Sequence, residues 1–499
     1  MPDSVQTPDI SAALRRDFRM LIAGQLSKAS DGKTLATTNP ATSEHLADLP
    51  NAGPDDIDLA VRAAAAAQPQ WARLSYGERR AGVLKLAAKL RDNAAMLGLL
   101  DTLDTGNVYM AMRSDAVWSS DGIEYFASIG HEIKGEVTHL DGNLHYTRRQ
   151  PYGVVARLLP FNHPIASLAT ALAAPLLTGN AVILKPSPHT PMSALAFAEL
   201  AADILPAGVI SIVTGDNERC SVPLIRHPGI NRISLIGSTA AGRAVMAMAA
   251  ERLVPVTLEL GGKNPLIIFP DADVGASVEA AIAGMNFKWQ SHSCASTSRI
   301  LVHKSVKARF LDRLVEKVGR IRVAMPLDPA AEMGAISYRA LYDRCLAYLD
   351  SGRAQGAKLL VGGTRPTDPA MSRGLFLTPA VFGDATPSMS IARDEIFGPI
   401  ITVIEWDDYD RMIQIANELP YGLTAVIMTE NLDAAHRTAE ALDAGYVEVN
   451  GTISWAQGSP YGGFKQSGIG REGSLDELVS YTQIKSINVK LKPRPVVMG

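Results

Sequence analysis

The 499-residue chain has only three cysteines, Cys220, Cys294 and Cys345, widely spaced and without a C-x-x-C pair. This excludes a disulfide framework and a cysteine-ligated zinc site, so no metal is expected, and it fits a reducing compartment. No uninterrupted apolar run reaches about 18 residues, the length a membrane-spanning helix needs. The opening stretch, MPDSVQTPDISAALRRDFRM, sets Pro and Asp ahead of any apolar run and so lacks the order of a secretory signal; the expected location is the cytoplasm. Excess charge is missing as well. A formal balance of -3 provides no basic surface for nucleic acid or anionic membrane, so the expected partners are small molecules. There is no internal duplication and no low-complexity linker.

What is present is an ordinary globular composition, 47% hydrophobic and 20% charged, in a chain too long for a single core. From about residue 151, short apolar runs alternate with longer amphipathic stretches. VVARLLPF (154–161), AVILKPS (181–187), VISIVTG (209–215), RISLIGS (232–238) and PVTLELGG (255–262) read as buried strands, with helical segments such as 190–205 between them. This βαβ order predicts an α/β fold with a parallel sheet, helices on both faces and ligands at the carboxyl ends of the strands. A second α/β block follows, with strands at 264–269, 299–303, 401–406, 423–428 and 446–450 and helices at about 273–288 and 304–320. Two sheets imply a cleft between them. The Ala-rich region 60–98 reads as exposed or bundled helices. Segments 139–150, with an Asp141-Gly142 turn signal, and 482–492 alternate as half-exposed strands do; they either pair and extend a sheet into a neighbouring subunit or form a surface flap.

Several residues are placed for chemistry. Gly237-Ser238-Thr239-Ala240-Ala241-Gly242 ends a strand and opens a helix, an arrangement whose free N–H groups can hold an anion, although a Gly-Ser pair there is also common in ordinary turns. Gly215 and Lys185 end neighbouring strands; the first permits close ligand approach, and the second is either a ribose ligand or a solvated lysine. Glu259 closes an otherwise apolar strand, where a carboxylate must be solvated, paired or functional. Partly desolvated in the cleft, it would suit a general base. Asn162, between prolines in PFNHP, is either an oxyanion donor or a turn asparagine. Cys294, in SHSCASTSR, is either a nucleophile or a small packed hydrophobe.

Taken together, PFNHP, LPAGVISIVTG, GSTAAG, LELGGKNP, the Cys of SHSCASTSR, DEIFGP, YGLTA and PYGGFKQSGIGRE stand in the order and at about the separations found in the NAD(P)-dependent aldehyde dehydrogenase superfamily, which the chain resembles from about residue 20 to about 490. The resemblance implies a Rossmann-like cofactor domain (1–137 and 151–262), a second α/β catalytic domain (263–479) and a small bridging β-sheet used in oligomerisation (138–150 and 480–499). It implies a homodimer or homotetramer that oxidises a small-molecule aldehyde with NAD or NADP. Cys294 matches the nucleophile, Glu259 the general base, Asn162 the oxyanion donor and Glu472 a proton-relaying carboxylate. Phe161, Lys185, Gly215, Gly237, Ser238, Leu260, Glu395 and Phe397 match cofactor contacts.

The sequence also departs from the family. Ser291-His292 replaces the usual Gly-Gln, and Ser296 a usual Ala. His292 either perturbs the thiol, if its ring turns inward, or fills the glutamine's structural niche. Pro188 stands where many members carry a ribose-gripping Glu, which leaves both NAD and NADP open. Thr170, at a position often aromatic in relatives, suggests a roomier pocket, and His163 and Lys288 offer polar contacts; the expected substrate is a bulky or aromatic aldehyde. Three readings compete: a hydrolytic aldehyde dehydrogenase, a CoA-acylating relative, and a catalytically silent scaffold.

Overall fold

A computed structural model describes residues 9–140 and 142–491; Asp141 and residue 492, part of two predicted strands, lie outside it. The five expected strands of the first block form the parallel centre of an eight-stranded sheet. Val154–Leu158 sits in the middle. Ala181–Lys185 and Ile210–Ile212 follow on one side, and Arg232–Ile236 and Val256–Glu259 on the other. The order therefore reverses between Val154–Leu158 and Arg232–Ile236, the kind of switch point that opens a crevice beyond the strand ends.

The second sheet has seven strands. Pro265–Ile268, Arg299–His303, Ile400–Trp406, Thr424–Met428 and Tyr446–Val449 run parallel, joined by Ala380–Gly383, and Lys358–Val361 is antiparallel at the edge. The alternating segments do pair: Thr482–Lys490 runs antiparallel along Asn143–Pro151, and Val137–Leu140 adds a third strand. Gly468–Ile469 hydrogen-bonds to Leu258 and Glu259 in the first sheet, and Leu478 and Tyr481 pack in that sheet's core. The chain thus returns to the first sheet at residue 468, ahead of the division drawn at 479.

Two hairpins near the start of the chain went unread in the sequence. Met20–Ile22 and Gln25–Ser27 form a hairpin on the far edge of the first sheet, turning through Ala23 and Gly24, both at positive φ. That is the geometry of a two-residue hairpin turn, but Ala at its first position is not a turn signal. Thr34–Thr38 and His45–Pro50 form a separate two-stranded ribbon.

The Ala-rich region is bundled. Pro54–Arg73 turns Ile57, Ala60, Val61 and Ala64 inward, and Tyr76–Asp92 starts at a capping box between Ser75 and Glu78. Ala94–Thr105 packs closely against Tyr109–Ile129 because Gly98 lies on the backbone of Arg113. Alanine in mid-helix normally gains about 1 kcal/mol over glycine. Here a Cβ would sit 2.6 Å from the Arg113 nitrogen, and overpacking of that kind costs about 1–3 kcal/mol. Gly98→Ala is therefore expected to lower the urea midpoint, despite its better helix propensity; an unchanged or raised midpoint would refute this packing.

Candidate active site

Cys294 stands on a loop between helix Val274–Gly284 and strand Arg299–His303. Three non-glycine residues of that loop, Asn286, Gln290 and Ser291, have φ between 50° and 60°. Such a path persists only when its surroundings impose it. Gln290 Nε2 donates to the Gly106 carbonyl at 3.1 Å, and Asn162 Nδ2 donates to the His292 carbonyl at 2.8 Å. Asn264 Nδ2 donates to the carbonyls of Cys294 (2.7 Å) and Ser296 (3.1 Å), while its own Oδ1 accepts from the Thr424 N–H. Ser296 Oγ donates to the Met285 carbonyl at 3.2 Å, which gives the hydroxyl that departs from the family's alanine a partner.

The sulfur lies 3.7 Å from Tyr461 Oη and faces the carboxyl group of Glu259. Burial, then the neighbouring Glu259 charge, pushes the thiol well above its ordinary pKa. Glu259 is buried at the end of its strand; desolvation first, then the charge of Glu472, pushes it up to about 8. Its Oε1 has no hydrogen-bond partner. Glu472, also buried, is paired with Arg157 at 3.3 Å, and Arg157 in turn reaches Glu477 at 3.5 Å and the Tyr481 hydroxyl. Burial holds Glu477 up at about 7.

Two cavities meet at this point. One, of about 430 Å³, opens at the switch point of the first sheet and is lined by Phe161, Lys185, Pro188, Gly237, Ser238, Glu395 and Phe397, among others. The other, of about 260 Å³, is lined by Asp115, Trp118, His163, Thr170, Trp289, Trp455, Tyr461 and Glu472, among others. Both include Pro160, Asn162, Ile236, Glu259 and Cys294 in their walls.

The larger cavity fits an elongated anionic ligand. The twelve-residue helix Thr239–Ala250 begins on its wall, with Ser238 as N-cap, and such an end attracts negative charge. Glu395 accepts from the Gly262 N–H at 3.1 Å and lies so close to Gly261 that a Cβ there would fall 2.0 Å from its carboxylate. Burial raises Glu395 to about 6. Two expected contacts stand off the wall: Gly215 packs against Cys220 and Asn51, and the Leu260 side chain lies on Gly242, so close packing accounts for both residues. Gly237 is on the wall, but its N–H already donates to the Glu259 carbonyl. Lys288 lines neither cavity.

His292 is fully buried with its ring away from the sulfur, Nδ1 3.2 Å from Ser337 Oγ and the ring beside Phe161 and Phe397. Desolvation drives its pKa down to about 3, so it carries no charge toward the thiol. It fills a niche. Sequence reading missed Asn264, Tyr461 and Arg157, although an arginine inside the apolar run VVARLL is itself a sign of a buried ion pair. Among the described residues, no three His, Cys, Asp or Glu side chains converge as metal ligands, and no helix is long and apolar enough to cross a membrane.

A buried cysteine and a raised carboxyl where the switch-point crevice meets a second pocket mark an enzyme site whose reacting groups stand beside a nucleotide-type crevice. The profile of the aldehyde dehydrogenase family matches residues 27–487. The chain is 40% identical over 492 residues to the aldehyde dehydrogenase tropH of Talaromyces stipitatus, covering 97% of this chain and 95% of that protein. Among solved structures, the NAD+ complex of an aldehyde dehydrogenase from Bacillus cereus is similar at a TM-score of 0.94 and 34% identity, covering 98% of this chain and 99% of that one. Betaine aldehyde dehydrogenase from Staphylococcus aureus, in complex with NAD+, is similar at 0.94 and 30% identity, with the same coverage. The chain belongs to the aldehyde dehydrogenase family and is an NAD(P)-dependent enzyme.

Ser291 occupies a left-handed position, with φ of 60°, and among the described residues its buried hydroxyl has no partner. That conformation costs a non-glycine residue about 1–2 kcal/mol. Ser291→Gly is expected to raise the unfolding free energy by about 1 kcal/mol, read from denaturant titration; a loss of stability would mean that the serine is held by contacts of its own.

Proposed function

We propose that the protein oxidises an aldehyde to the carboxylic acid through a covalent thioester on Cys294, followed by hydrolysis. The observation that carries this reading is the junction of two cavities at one sulfur, with the Glu259 carboxyl and the Asn162 amide on the shared wall. In this reading the larger cavity takes NAD or NADP, held by the helix end at Ser238 and by Lys185, Phe161, Glu395 and Phe397. When bound, the nicotinamide supplies the hydride acceptor. Pro188 puts no carboxylate on the wall, and among the described residues the carboxyls lining that cavity are Glu259 and Glu395, so a 2′-phosphate meets no acidic residue at position 188.

The chain's own groups then act in order. Cys294 gives its proton to the Glu259 carboxylate, and its sulfur bonds to the aldehyde carbon. One Asn162 amide proton is engaged with His292; the second, with the Cys294 N–H, is available to donate to the oxyanion, a contact of the kind worth about 3 kcal/mol. Loss of hydride leaves an acyl group on the sulfur. Once Glu259 has passed the thiol proton outward, it takes a proton from water, whose oxygen attacks the acyl carbon; the C–S bond breaks, the acid leaves and Cys294 is left as thiolate. Glu472, fixed by Arg157 on the wall of the smaller cavity, relays that proton outward.

Assembly into a dimer or tetramer belongs to the same proposal and is supported by the three-stranded sheet, where Val137, Ile484 and Val489 are exposed. A cytoplasmic setting agrees with three cysteines that are all unpaired.

Acid formation from an aldehyde panel, followed by NADH and NADPH absorbance with and without CoA, tests the route. Acid without CoA is expected; dependence on CoA would replace hydrolysis by acyl transfer. Cys294→Ala should lose turnover, and retained turnover would remove the nucleophile. Glu259→Gln should give at most one equivalent of reduced cofactor per subunit and then stall, its steady rate down by about 100-fold or more.

The pH dependence has a definite sign. Because Glu259 is raised to about 8, its base form gains population as pH rises through that value, and activity limited by it should climb over the same range. The Glu472 charge contributes to that elevation, so Glu472→Gln is expected to move the midpoint of the climb to lower pH. A midpoint that stays put or rises would break the link between the two carboxyls.

A further inference from the structure

We infer that the smaller cavity selects aromatic aldehydes bearing a ring hydroxyl, with His163, held by Asp115, accepting a hydrogen bond from that hydroxyl. The inference rests on the thioester reading and specifies its substrate class.

The wall is built of flat rings. Trp118 and Trp455 have centroids 5.2 Å apart, and Trp455 and Tyr461 are 5.3 Å apart at 32°. His163 and Trp289 lie 5.3 Å apart at 40°. Rings so arranged favour a planar π-system over a flexible alkyl chain, through area and through offset or edge contacts. Thr170, also on the wall, leaves room where an aromatic side chain would fill it.

Among the polar groups that share this wall, one pair is oriented by its own hydrogen bonds. Asp115, on helix Tyr109–Ile129, accepts from His163 Nδ1 at 2.7 Å and from Trp289 Nε1 at 3.2 Å, both at Oδ2. A carboxylate bound to Nδ1 fixes the neutral ring in the tautomer that carries its proton there, which leaves Nε2 with a lone pair. Among the described residues Nε2 has no hydrogen-bond partner, and the side chain is 28% exposed on the cavity wall. An acceptor among rings calls for a donor carried by an aromatic ligand. A hydroxyl meets that need and a methoxy group cannot.

The test compares kcat/KM for benzaldehyde, its three hydroxy and three methoxy derivatives, an aliphatic aldehyde and trimethylammonioacetaldehyde, in the wild type and in His163→Phe and His163→Gln. At least one hydroxybenzaldehyde should exceed its methoxy counterpart by about tenfold or more, because a site made for a hydroxyl rejects the analogue lacking it. His163→Phe should bring that ratio toward one, and His163→Gln, which keeps an acceptor, should retain more of it. Equal use of hydroxy and methoxy compounds by the wild type overturns the inference without recourse to any variant. So does a ratio that survives in His163→Phe, or a preference for the ammonium aldehyde. Turnover of aliphatic aldehydes with none of aromatic ones sinks this inference alone, whereas absence of acid from every aldehyde sinks the thioester reading with it.

Discussion

A carboxyl group taken out of water with no cation against it is the constraint around which this site is arranged. Glu259 ends a strand whose other residues are apolar, and one of its oxygens has no partner. A guanidinium beside it would hold the carboxylate ionised and make it a weak base. The fold does contain a buried guanidinium nearby, on the central strand of the same sheet, but Arg157 is turned to Glu472, Glu477 and Tyr481. Those groups compensate its charge, and the Glu472 carboxylate is left facing Glu259. The same ion cluster that satisfies Arg157 thus raises the pKa of Glu259. A buried ion pair is weak evidence for stability; here its second effect bears on the acid–base character of its neighbour.

The thiol needs the opposite of freedom. Its loop follows a left-handed path at three non-glycine residues, and the same loop is tethered from different parts of the chain: Gly106 holds Gln290, Asn162 holds the His292 carbonyl, and Asn264 holds Cys294 and Ser296. Asn162 is held in its turn by Asn107, whose Nδ2 donates to the Asn162 carbonyl at 2.9 Å. The stretch 101–107 therefore braces the shared wall of both cavities from behind. Asp101 caps the helix that starts at Pro164 by accepting from the Ile165 N–H, and Asp104 accepts from the Met192 N–H at the start of the next one. Burial keeps both carboxyls above their ordinary range, Asp101 at about 8.

The wall of the larger cavity around Gly237 and Ser238 was readable from local sequence. A strand, a glycine and a helix start follow one another in RISLIGSTAAG, so that helix end is contained in about ten residues. The first sheet was legible for the same reason, since buried parallel strands are continuous apolar runs. Lys358–Val361, an edge strand, and the polar ribbon 34–50 lack that signal, and 20–27 turns through a residue type that does not announce a turn. Gly215 and Leu260 show the limit from the other direction. They sit in the right motifs, yet packing against Cys220 and Gly242 explains them without a ligand.

The smaller cavity is assembled from distant parts of the chain, around 115–118, 160–170, 236, 259, 286–295 and 453–472, and no one of them carries its chemistry alone. His163 in a turn is unremarkable until Asp115, 48 residues earlier, accepts a hydrogen bond from its Nδ1, and Asp115 in a helix is unremarkable until Trp289 donates to the same oxygen. Family membership speaks to the reacting end, because a thiol, a base and an oxyanion donor must keep one geometry whatever the aldehyde. The far end answers only to the substrate and is free to vary residue by residue. Specificity is therefore the property least visible in a motif and most dependent on which side chains the fold brings together.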